Sequence, residues 1–306
     1  MDSPLIGIRP VPARWIEEAV VDGGGQVAAD LESCRGLVWN DMGDVDQLRS
    51  TLDKHPSIEW VQLPSAGVER VASAGVLDDR HCWTCAKGAY RDPVAEHALL
   101  LALAGLRMLP ERVRATTWGS PAGTSLFDSQ VTIIGGGGIS ASLLGLLAPF
   151  RARATVVRRS GEPMEGASRT LAVEDLAEAL HGALVVFLAL ALTPATTALI
   201  GKQALAAMDP RAWLVNVARG KIVDTEALCE ALETGAIAGA ALDVTDPEPL
   251  PDDHRLWSMT NCILTPHTAD TPEMIRPLLA ARIAENVRRF GAGEPLVGAV
   301  DPSAGY

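Results

Sequence analysis

The sequence is poor in positive charge, in cysteine and in long apolar runs. Its 26 Lys and Arg against 38 Asp and Glu leave a formal net charge of −12, which argues against a surface for nucleic acid or an anionic membrane. The five cysteines are scattered and odd in number, which fits a reducing compartment, by default the cytoplasm, better than a disulfide framework. A small anionic substrate would therefore need a local cationic pocket.

The chain also lacks the signals of a membrane protein and of a metal site. The most apolar runs, 98–106 and 183–192, are well short of the ~20 residues that a membrane-spanning helix needs, and no signal peptide is visible. Cys82 and Cys85 have the spacing of a metal or redox motif, but no second pair or histidine cluster completes a zinc site. We expect neither a membrane association nor a bound metal.

The first hundred residues have the rhythm of a parallel sheet. Short apolar runs such as PLIGIR, GLVWN and IEWVQLP alternate with amphipathic stretches, and strands that are apolar on both faces indicate a sheet covered by helices. From Asp92 a helical periodicity continues for more than twenty residues. This length predicts one long helix that bridges two domains.

A second strand–helix series begins at Val131. Six apolar runs separated mostly by helical segments predict a complete doubly wound sheet of the dinucleotide-binding type. A last helix, 271–290, has no strand left to follow, so we expect it to cross back to the first domain. The predicted fold is therefore α/β, with two Rossmann-like, doubly wound parallel-sheet domains.

The glycine run in VTIIGGGGIS follows an apolar strand and precedes an amphipathic helix. A dinucleotide-binding turn needs one glycine for the tight turn and one to let the backbone approach the pyrophosphate. A third lets helix and strand pack closely. Two frames fit the run: Gly135, Gly137 and Ser140, or Gly136, Gly138 and Ala141.

The end of the next strand bears on which nucleotide binds. An Asp or Glu usually stands there for the ribose hydroxyls, but this strand ends in Arg158, Arg159 and Ser160. Arginine pairs well with the 2′-phosphate of NADP. The sequence favours NADP(H), with NAD(H) possible; the alternative is that the two arginines simply face solvent.

Three later segments carry chemically useful side chains near predicted strand ends. They are LVNVARGKIVD with Arg219, ALDVTDPEP with Asp243 and Glu248, and LTPHTADT with His267. Each alone is more often a turn or surface feature, but together an acid or base, a carboxylate and a fixed cation beside a nucleotide turn suit hydride transfer. Of the other histidines, His97 and His254 are expected to be structural, and His55, His81 and His181 belong to no such set.

Taken together, these motifs resemble the D-isomer-specific 2-hydroxyacid dehydrogenase family. The likeness runs from about Ile58 to Arg289 through LPSAGVERV, DPVAEHAL, VTIIGGGGIS, VNVARGKIVD, GAALDVTDPEP and TPHTADT. It implies the frame Gly135, Gly137 and Ser140, where serine replaces the family's last glycine. It also implies a flavodoxin-like substrate-binding domain of residues 1–92 and 271–306, a Rossmann dinucleotide-binding domain of residues 93–270, and an active site in the cleft between them.

The resemblance also implies roles for the residues of the site. His267 would give a proton to the substrate carbonyl as hydride arrives, Glu248 would orient and stabilise the protonated imidazole, and Arg219 would bind the 2-keto acid. The implied substrate-binding residues are Ala66, Gly67, Val68, Arg219 and His267. The implied cofactor-binding residues are Gly135, Gly137, Gly138, Ile139, Arg158, Arg159, Ser160, Thr193, Pro194, Ala218, Arg219, Asp243 and His267.

The implied activity is NAD(P)H-dependent reduction of a small 2-keto acid, such as glyoxylate or hydroxypyruvate, to a D-2-hydroxy acid. Family members pair through their nucleotide domains, so a homodimer is expected, with the helix from Asp92 and the region of Trp118 as the contact. A nucleotide-sensing interaction protein that keeps the fold is the alternative. A methyltransferase with a similar glycine turn would have no use for the Arg219, Glu248 and His267 series.

Overall fold

The computed structural model describes residues 3–303. The chain forms two compact units, one made by the chain up to Tyr90 together with the chain from Thr271 onward, and one made by Arg91–Asp270. Each unit has its own parallel sheet. Among residues 3–303, none of the helices has the length and apolar character needed to cross a membrane.

The N-terminal part of the first unit alternates strands and helices. Its five strands are parallel, in the order β2-β1-β3-β4-β5, which is the flavodoxin-like order. The predicted strands and helices are present, and the two-residue β2 is too short to have been predicted from a pattern. The elements are β1 (Leu5–Arg9), α1 (Arg14–Asp22), β2 (Gln26–Val27), β3 (Gly36–Trp39), α2 (Val45–Lys54), β4 (Trp60–Gln62), α3 (Glu69–Ser73) and β5 (Cys82–Thr84).

The second unit is built on a seven-stranded parallel sheet in the order β12-β11-β10-β9-β6-β7-β8. The strand order reverses between β6 and β9, and open sheets of this kind bind ligands at such a switch point. The elements are α4 (Arg91–Leu106), α5 (Leu109–Arg114), β6 (Gln130–Ile134), α6 (Gly138–Leu147), β7 (Arg153–Val157), β8 (Arg169–Leu171), α7 (Leu176–Leu180), β9 (Val185–Leu188), α8 (Lys202–Ala207), β10 (Trp213–Asn216), α9 (Thr225–Thr234), β11 (Gly239–Leu242) and β12 (Cys262–Leu264), with short 3-10 helices at Ala148–Phe150, Val173–Asp175, Gly220–Ile222 and Arg255–Ser258.

The predicted single long helix from Asp92 is wrong, because the chain breaks it into α4 and α5. Met108, between them, has a left-handed backbone with φ of 53°. Pro110 has no N–H to bond the carbonyl of Leu106 four residues earlier, and that carbonyl instead accepts a hydrogen bond of 2.8 Å from the Thr124 N–H. The proline therefore ends the helix, although the apolar periodicity continues past it.

The last helix, α10 (Pro272–Ala292), completes the first unit. It packs along α1, and its fully buried Asn286 donates hydrogen bonds of 2.9 Å to the Gln62 side chain and to the Val297 carbonyl. The Val297 N–H donates back to the Asn286 oxygen at 2.8 Å. Because a buried amide is costly unless it is hydrogen-bonded, these bonds fix the helix against β4.

Candidate active site

The glycine turn lies at the switch point of the seven-stranded sheet, directly after β6. Gly135 has φ of 121°, and a Cβ atom there would lie 2.1 Å from the Ala189 carbonyl oxygen. Its N–H donates to the Val157 carbonyl at 2.8 Å. Only glycine fits this position, since both the conformation and the space exclude a side chain.

Gly137 has the opposite surroundings. A Cβ there would meet no described atom of the chain within 4 Å, so packing within the protein does not require a glycine. The helix α6 begins at the next residue, and among the described residues no side chain caps its N-terminus. Open space beside an uncapped helix N-terminus is what the close approach of a pyrophosphate needs.

Ser140 replaces the family's last glycine without leaving a polar group unpaired. Its side chain is fully buried, and its hydroxyl donates a hydrogen bond of 2.9 Å to the Gly135 carbonyl. A small hydroxyl that is satisfied by the turn itself therefore fits the contact between α6 and β6.

Arg158 lies beside the turn, immediately after β7. A Cβ on Gly136 would come within 3.0 Å of the Arg158 Nε, so the arginine side chain packs over the glycines. Arg159 and Ser160 follow and are exposed, and the Ser160 hydroxyl lies 3.4 Å from the carboxylate of Glu162. This end of the sheet is cationic next to the turn, with two acidic side chains, Glu162 and Glu165, further along the loop.

Arg219 follows β10 and is held by its neighbours. The Asn216 side chain is buried, accepts a hydrogen bond of 3.0 Å from the Ala218 N–H and donates one of 3.0 Å to the Arg219 carbonyl. A Cβ on Gly220 would lie 1.9 Å from the Thr245 carbonyl oxygen, so glycine is needed for this loop to touch the loop after β11. The sequence motif pointed to Arg219, but it did not reveal why Gly220 must follow.

His267 and Glu248 are paired. The His267 Nδ1 and the Glu248 Oε1 lie 2.6 Å apart, and both side chains are nearly half exposed. Because the carboxylate occupies Nδ1, proton transfer to a substrate would use Nε2. The His267 backbone is left-handed, with φ of 53°, which is uncommon for a non-glycine residue and typical of constrained functional loops.

Asp243 directly follows β11 and organises the loop that carries His267. Its carboxylate accepts hydrogen bonds from the Thr265 hydroxyl at 2.6 Å and from the N–H groups of Thr268 at 2.9 Å and Ala269 at 3.0 Å. The His267 N–H donates to its carbonyl at 2.8 Å. The Asp243 side chain is only 1% exposed, so in this structure it serves the loop, and the contact with a cofactor stays a prediction.

His97, expected to be structural, reaches this cluster from α4. Its Nε2 lies 3.2 Å from the Thr265 hydroxyl and 3.3 Å from Asp243 Oδ1. Burial raises the pKa of Asp243, but hydrogen bonds from His97, Thr265 and two backbone N–H groups outweigh burial and lower the pKa to about 2. No sequence spacing links positions 97, 243 and 265, so only the fold could show this contact.

A further carboxyl near the site, Asp270, had not been singled out from the sequence. Burial raises its pKa above the ordinary value, while the charges of His267 and Arg219 act in the opposite direction. The group therefore shares its electrostatic environment with the strand-end side chains.

The remaining predicted residues lie on two other loops, one in each unit. Thr193, after β9, begins a turn in which its N–H donates to the Thr196 hydroxyl at 2.8 Å. Pro194 follows it and is exposed. Ala66, Gly67 and Val68 belong to the first unit, between β4 and α3, and their role toward a substrate stays a prediction.

This strand order and these strand-end side chains define a dehydrogenase of the dinucleotide-binding class. Comparison with known proteins narrows the class. Residues 97–269 match the model described as D-isomer specific 2-hydroxyacid dehydrogenase, NAD binding domain. The chain belongs to this family, and it is an oxidoreductase.

Relatives and solved structures agree with this assignment. A Corynebacterium melassecola protein described as uncharacterized, in the proB 3′ region, is 39% identical over 94% of this chain and 95% of its own length. The human glyoxylate reductase/hydroxypyruvate reductase is 34% identical over 94% of this chain and 87% of its own length. A D-isomer specific 2-hydroxyacid dehydrogenase from Xanthobacter autotrophicus Py2, solved with NADPH and MES, is 29% identical, covers all of both chains and superposes with a TM-score of 0.86.

Proposed function

We propose that the protein is an NADPH-preferring reductase of small 2-keto acids, such as glyoxylate or hydroxypyruvate, and that it forms D-2-hydroxy acids. The observation that carries the proposal is the 2.6 Å pair of His267, on the loop after β12, and Glu248, on the loop after β11, at the same sheet edge as Arg219. The name of the human relative supports the substrate class, and NADPH bound to the Xanthobacter protein supports the nucleotide.

The second unit offers a fitting place for the nucleotide. The open space at Gly137 and the start of α6 suit the pyrophosphate, with Gly138 and Ile139 in its first turn. Arg158, Arg159 and Ser160 would hold the 2′-phosphate through charge-assisted hydrogen bonds. The bound nicotinamide nucleotide would supply the hydride. The remaining residues proposed to line it are Thr193, Pro194, Ala218 and Asp243.

The protein's own side chains would provide the proton and the charge. His267 would donate a proton from Nε2 to the carbonyl oxygen of the keto acid, and the Glu248 carboxylate would favour the protonated imidazole before that transfer. Arg219 would bind the carboxylate and polarise the carbonyl, because its guanidinium stays charged and planar. The backbone N–H groups of Ala66, Gly67 and Val68 remain candidates for holding the substrate carboxylate.

We also propose that the protein is a homodimer that pairs through the second unit. Exposed apolar side chains follow one another on α4, α5 and the loop after them. Val113 is 75% exposed and Trp118 is 99% exposed. Tryptophan that is fully exposed to water is uncommon outside interfaces and ligand sites. A second copy of the chain would cover them.

The decisive experiment is an assay of the purified protein on a panel of 2-keto acids with NADPH and with NADH. We expect oxidation of NADPH with glyoxylate or hydroxypyruvate and a D-configured product from hydroxypyruvate. The His267→Asn variant should lose about 100-fold or more in kcat and still bind NADPH. Turnover with neither nucleotide on any keto acid would refute the proposal, and tight nucleotide binding without turnover would favour the nucleotide-sensing alternative.

The nucleotide preference has its own test in Arg158→Asp. Removing the cation and adding a carboxylate should lower kcat/KM with NADPH while sparing NADH, because only the 2′-phosphate needs the guanidinium. An unchanged ratio of the two kcat/KM values would show that Arg158 does not select the nucleotide.

A further inference from the structure

We propose that His97 is a positioning residue for His267, acting through Thr265 and Asp243 to fix the loop that carries the imidazole. The proposal rests on the function proposed above, because it assigns His267 the proton transfer. Its contacts lie entirely within the second unit.

The loop has an unusual backbone that depends on Asp243. The N–H groups of three consecutive residues, His267, Thr268 and Ala269, all donate to Asp243, the first to its carbonyl and the next two to its carboxylate. His267 adopts the left-handed conformation in this arrangement. Such a conformation persists when the surrounding contacts over-determine it, and here the carboxylate supplies two of those contacts.

His97 completes the hydrogen bonding of that carboxylate. The Thr265 hydroxyl has one hydrogen, and at 2.6 Å it is given to Asp243. The Thr265 oxygen can then only accept, so the His97 Nε2 at 3.2 Å must carry the proton and donate. The same N–H lies 3.3 Å from Asp243 Oδ1. One donor thus orients both the hydroxyl and the carboxylate.

The helix under His97 is rigidly placed, so the donor has a fixed position. At the start of α4, Asp92 accepts a hydrogen bond of 2.7 Å from the Ser142 hydroxyl of α6. Further along, Gly105 lies so close to the Trp213 ring of β10 that an added Cβ would come within 2.4 Å of it. His97 lies between these two contacts along α4, and its side chain is 14% exposed. A site is precise when rigid elements support the groups that orient it.

Two substitutions separate hydrogen bonding from packing. His97→Leu removes the donor and keeps an apolar volume, whereas His97→Gln keeps an N–H near the Nε2 position. For His97→Leu we expect kcat to fall about 10- to 100-fold, the range for losing a hydrogen bond to a charged group. The KM for the keto acid and the Kd for NADPH should change less than about threefold. His97→Gln should recover most of kcat.

Leu101→Ala is the control for a purely structural effect. Leu101 is buried on the same helix and does not belong to the Asp243 cluster, so its truncation should lower the melting temperature with little change in kcat. Equal losses of kcat in His97→Leu and His97→Gln, or an equal loss in Leu101→Ala, would overturn the proposal.

The pH dependence of kcat and of unfolding gives a second test, because a change in packing alone would not shift either pH profile. The titratable groups that face Asp243 are His97 from α4 and Asp270 from the loop, and Asp270 in turn feels the charges of His267 and of Arg219, which follows β10. Without the His97 donor, the carboxylate of Asp243 should take up a proton at higher pH. In His97→Leu the acid limb of kcat and the acid unfolding transition should therefore both move up by about half a pH unit or more, and in His97→Gln both should stay near the wild-type position.

The comparison of acid unfolding also distinguishes failure of the proposed function from failure of the role proposed for His97. If the wild-type protein turned over no keto acid, the proposed function would fail. The acid unfolding transitions of the two His97 variants would still show whether His97 supports Asp243. Coincident transitions in the two variants would overturn the role of His97 even in an active enzyme.

Discussion

Gly135 and Gly137 stand two residues apart in the same turn, yet their surroundings predict opposite effects of an added methyl group. Gly135→Ala forces a left-handed backbone on alanine and drives its Cβ into the Ala189 carbonyl. We expect a loss of at least about 2 kcal/mol in the free energy of unfolding. Gly137→Ala should leave that free energy within about 0.5 kcal/mol, because its Cβ enters open space.

Variants at these two glycines also distinguish an effect on the stability of the protein from an effect on nucleotide binding. Gly137→Ala should weaken NADPH binding, since the methyl group would occupy the space proposed for the pyrophosphate. Denaturant unfolding and fluorescence titration with NADPH measure the two effects. If the Gly137→Ala protein bound NADPH as tightly as the wild type, the pyrophosphate would not bind beside Gly137.

Among single residues, those with a motif around them could be singled out from the sequence, and those whose contacts cross the fold could not. Arg219, Glu248 and His267 were chosen because chemically distinctive side chains follow apolar runs, and the structure pairs His267 with Glu248. His97 carries no such mark, because its partners lie 146 or more positions away in sequence. A contact of that range depends on which face of α4 meets the sheet, and apolar periodicity alone does not fix this.

At the scale of elements, two helical glycines predict stability changes of opposite sign. Gly105→Ala on α4 would push a Cβ to within 2.4 Å of the Trp213 ring, so overpacking should cost about 1 to 3 kcal/mol. Gly145→Ala on α6 enters open space and should gain up to about 1 kcal/mol from helix propensity. Urea unfolding of the two variants measures both. Stabilisation by Gly105→Ala would mean that α4 does not pack this tightly on β10.

The loop held by Asp243 predicts an acid sensitivity. The folded-state pKa of about 2 lies below the ordinary 3.8, so the carboxylate adds stability above the ordinary pKa and loses it as the pH falls through the folded value. The contribution at neutral pH is about 2 kcal/mol. Asp243→Asn should therefore be less stable at pH 7 and should lose less stability than the wild type between pH 5 and pH 2.

Asp175→Asn is the matched control for this pH dependence. Asp175 is exposed at the start of α7 and makes no side-chain cap hydrogen bond there. Its variant should follow the wild-type profile of unfolding free energy against pH. Parallel wild-type and Asp243→Asn profiles would contradict the role given to the Asp243 carboxylate.

Strands and helices were predictable where the apolar pattern was long and ended cleanly. The end of α4 was missed because the apolar pattern continues through Pro110, whereas the left-handed Met108 and the missing N–H of Pro110 break the helix. The edge strand β8 was missed because three residues with a partly exposed surface carry too little periodicity to be recognised. Both errors come from local chemistry that apolar patterns do not record.

At the scale of the whole molecule, the exposed apolar side chains of the second unit predict a partner chain. Val113→Asp would bury a charge in the proposed dimer interface, which is strongly unfavourable without a counter-charge. We expect a dimer for the wild type and a monomer for this variant by light scattering. Val11→Asp, at another exposed valine, in the first unit, is the control and should stay dimeric. A wild-type protein that is monomeric at micromolar concentration would contradict the interface.

The place of α10 in the first unit has a consequence for how the chain is made. The sheet from β1 to β5 leaves the ribosome early, but the helix whose Asn286 bonds Gln62 follows about 180 residues later. At cellular elongation rates that interval lasts roughly 10 to 40 s, while the second unit has all of its strands in one continuous segment. We therefore expect the nascent N-terminal segment to emerge with the α1 face that packs on α10 still uncovered, and to need protection from aggregation until α10 has been made.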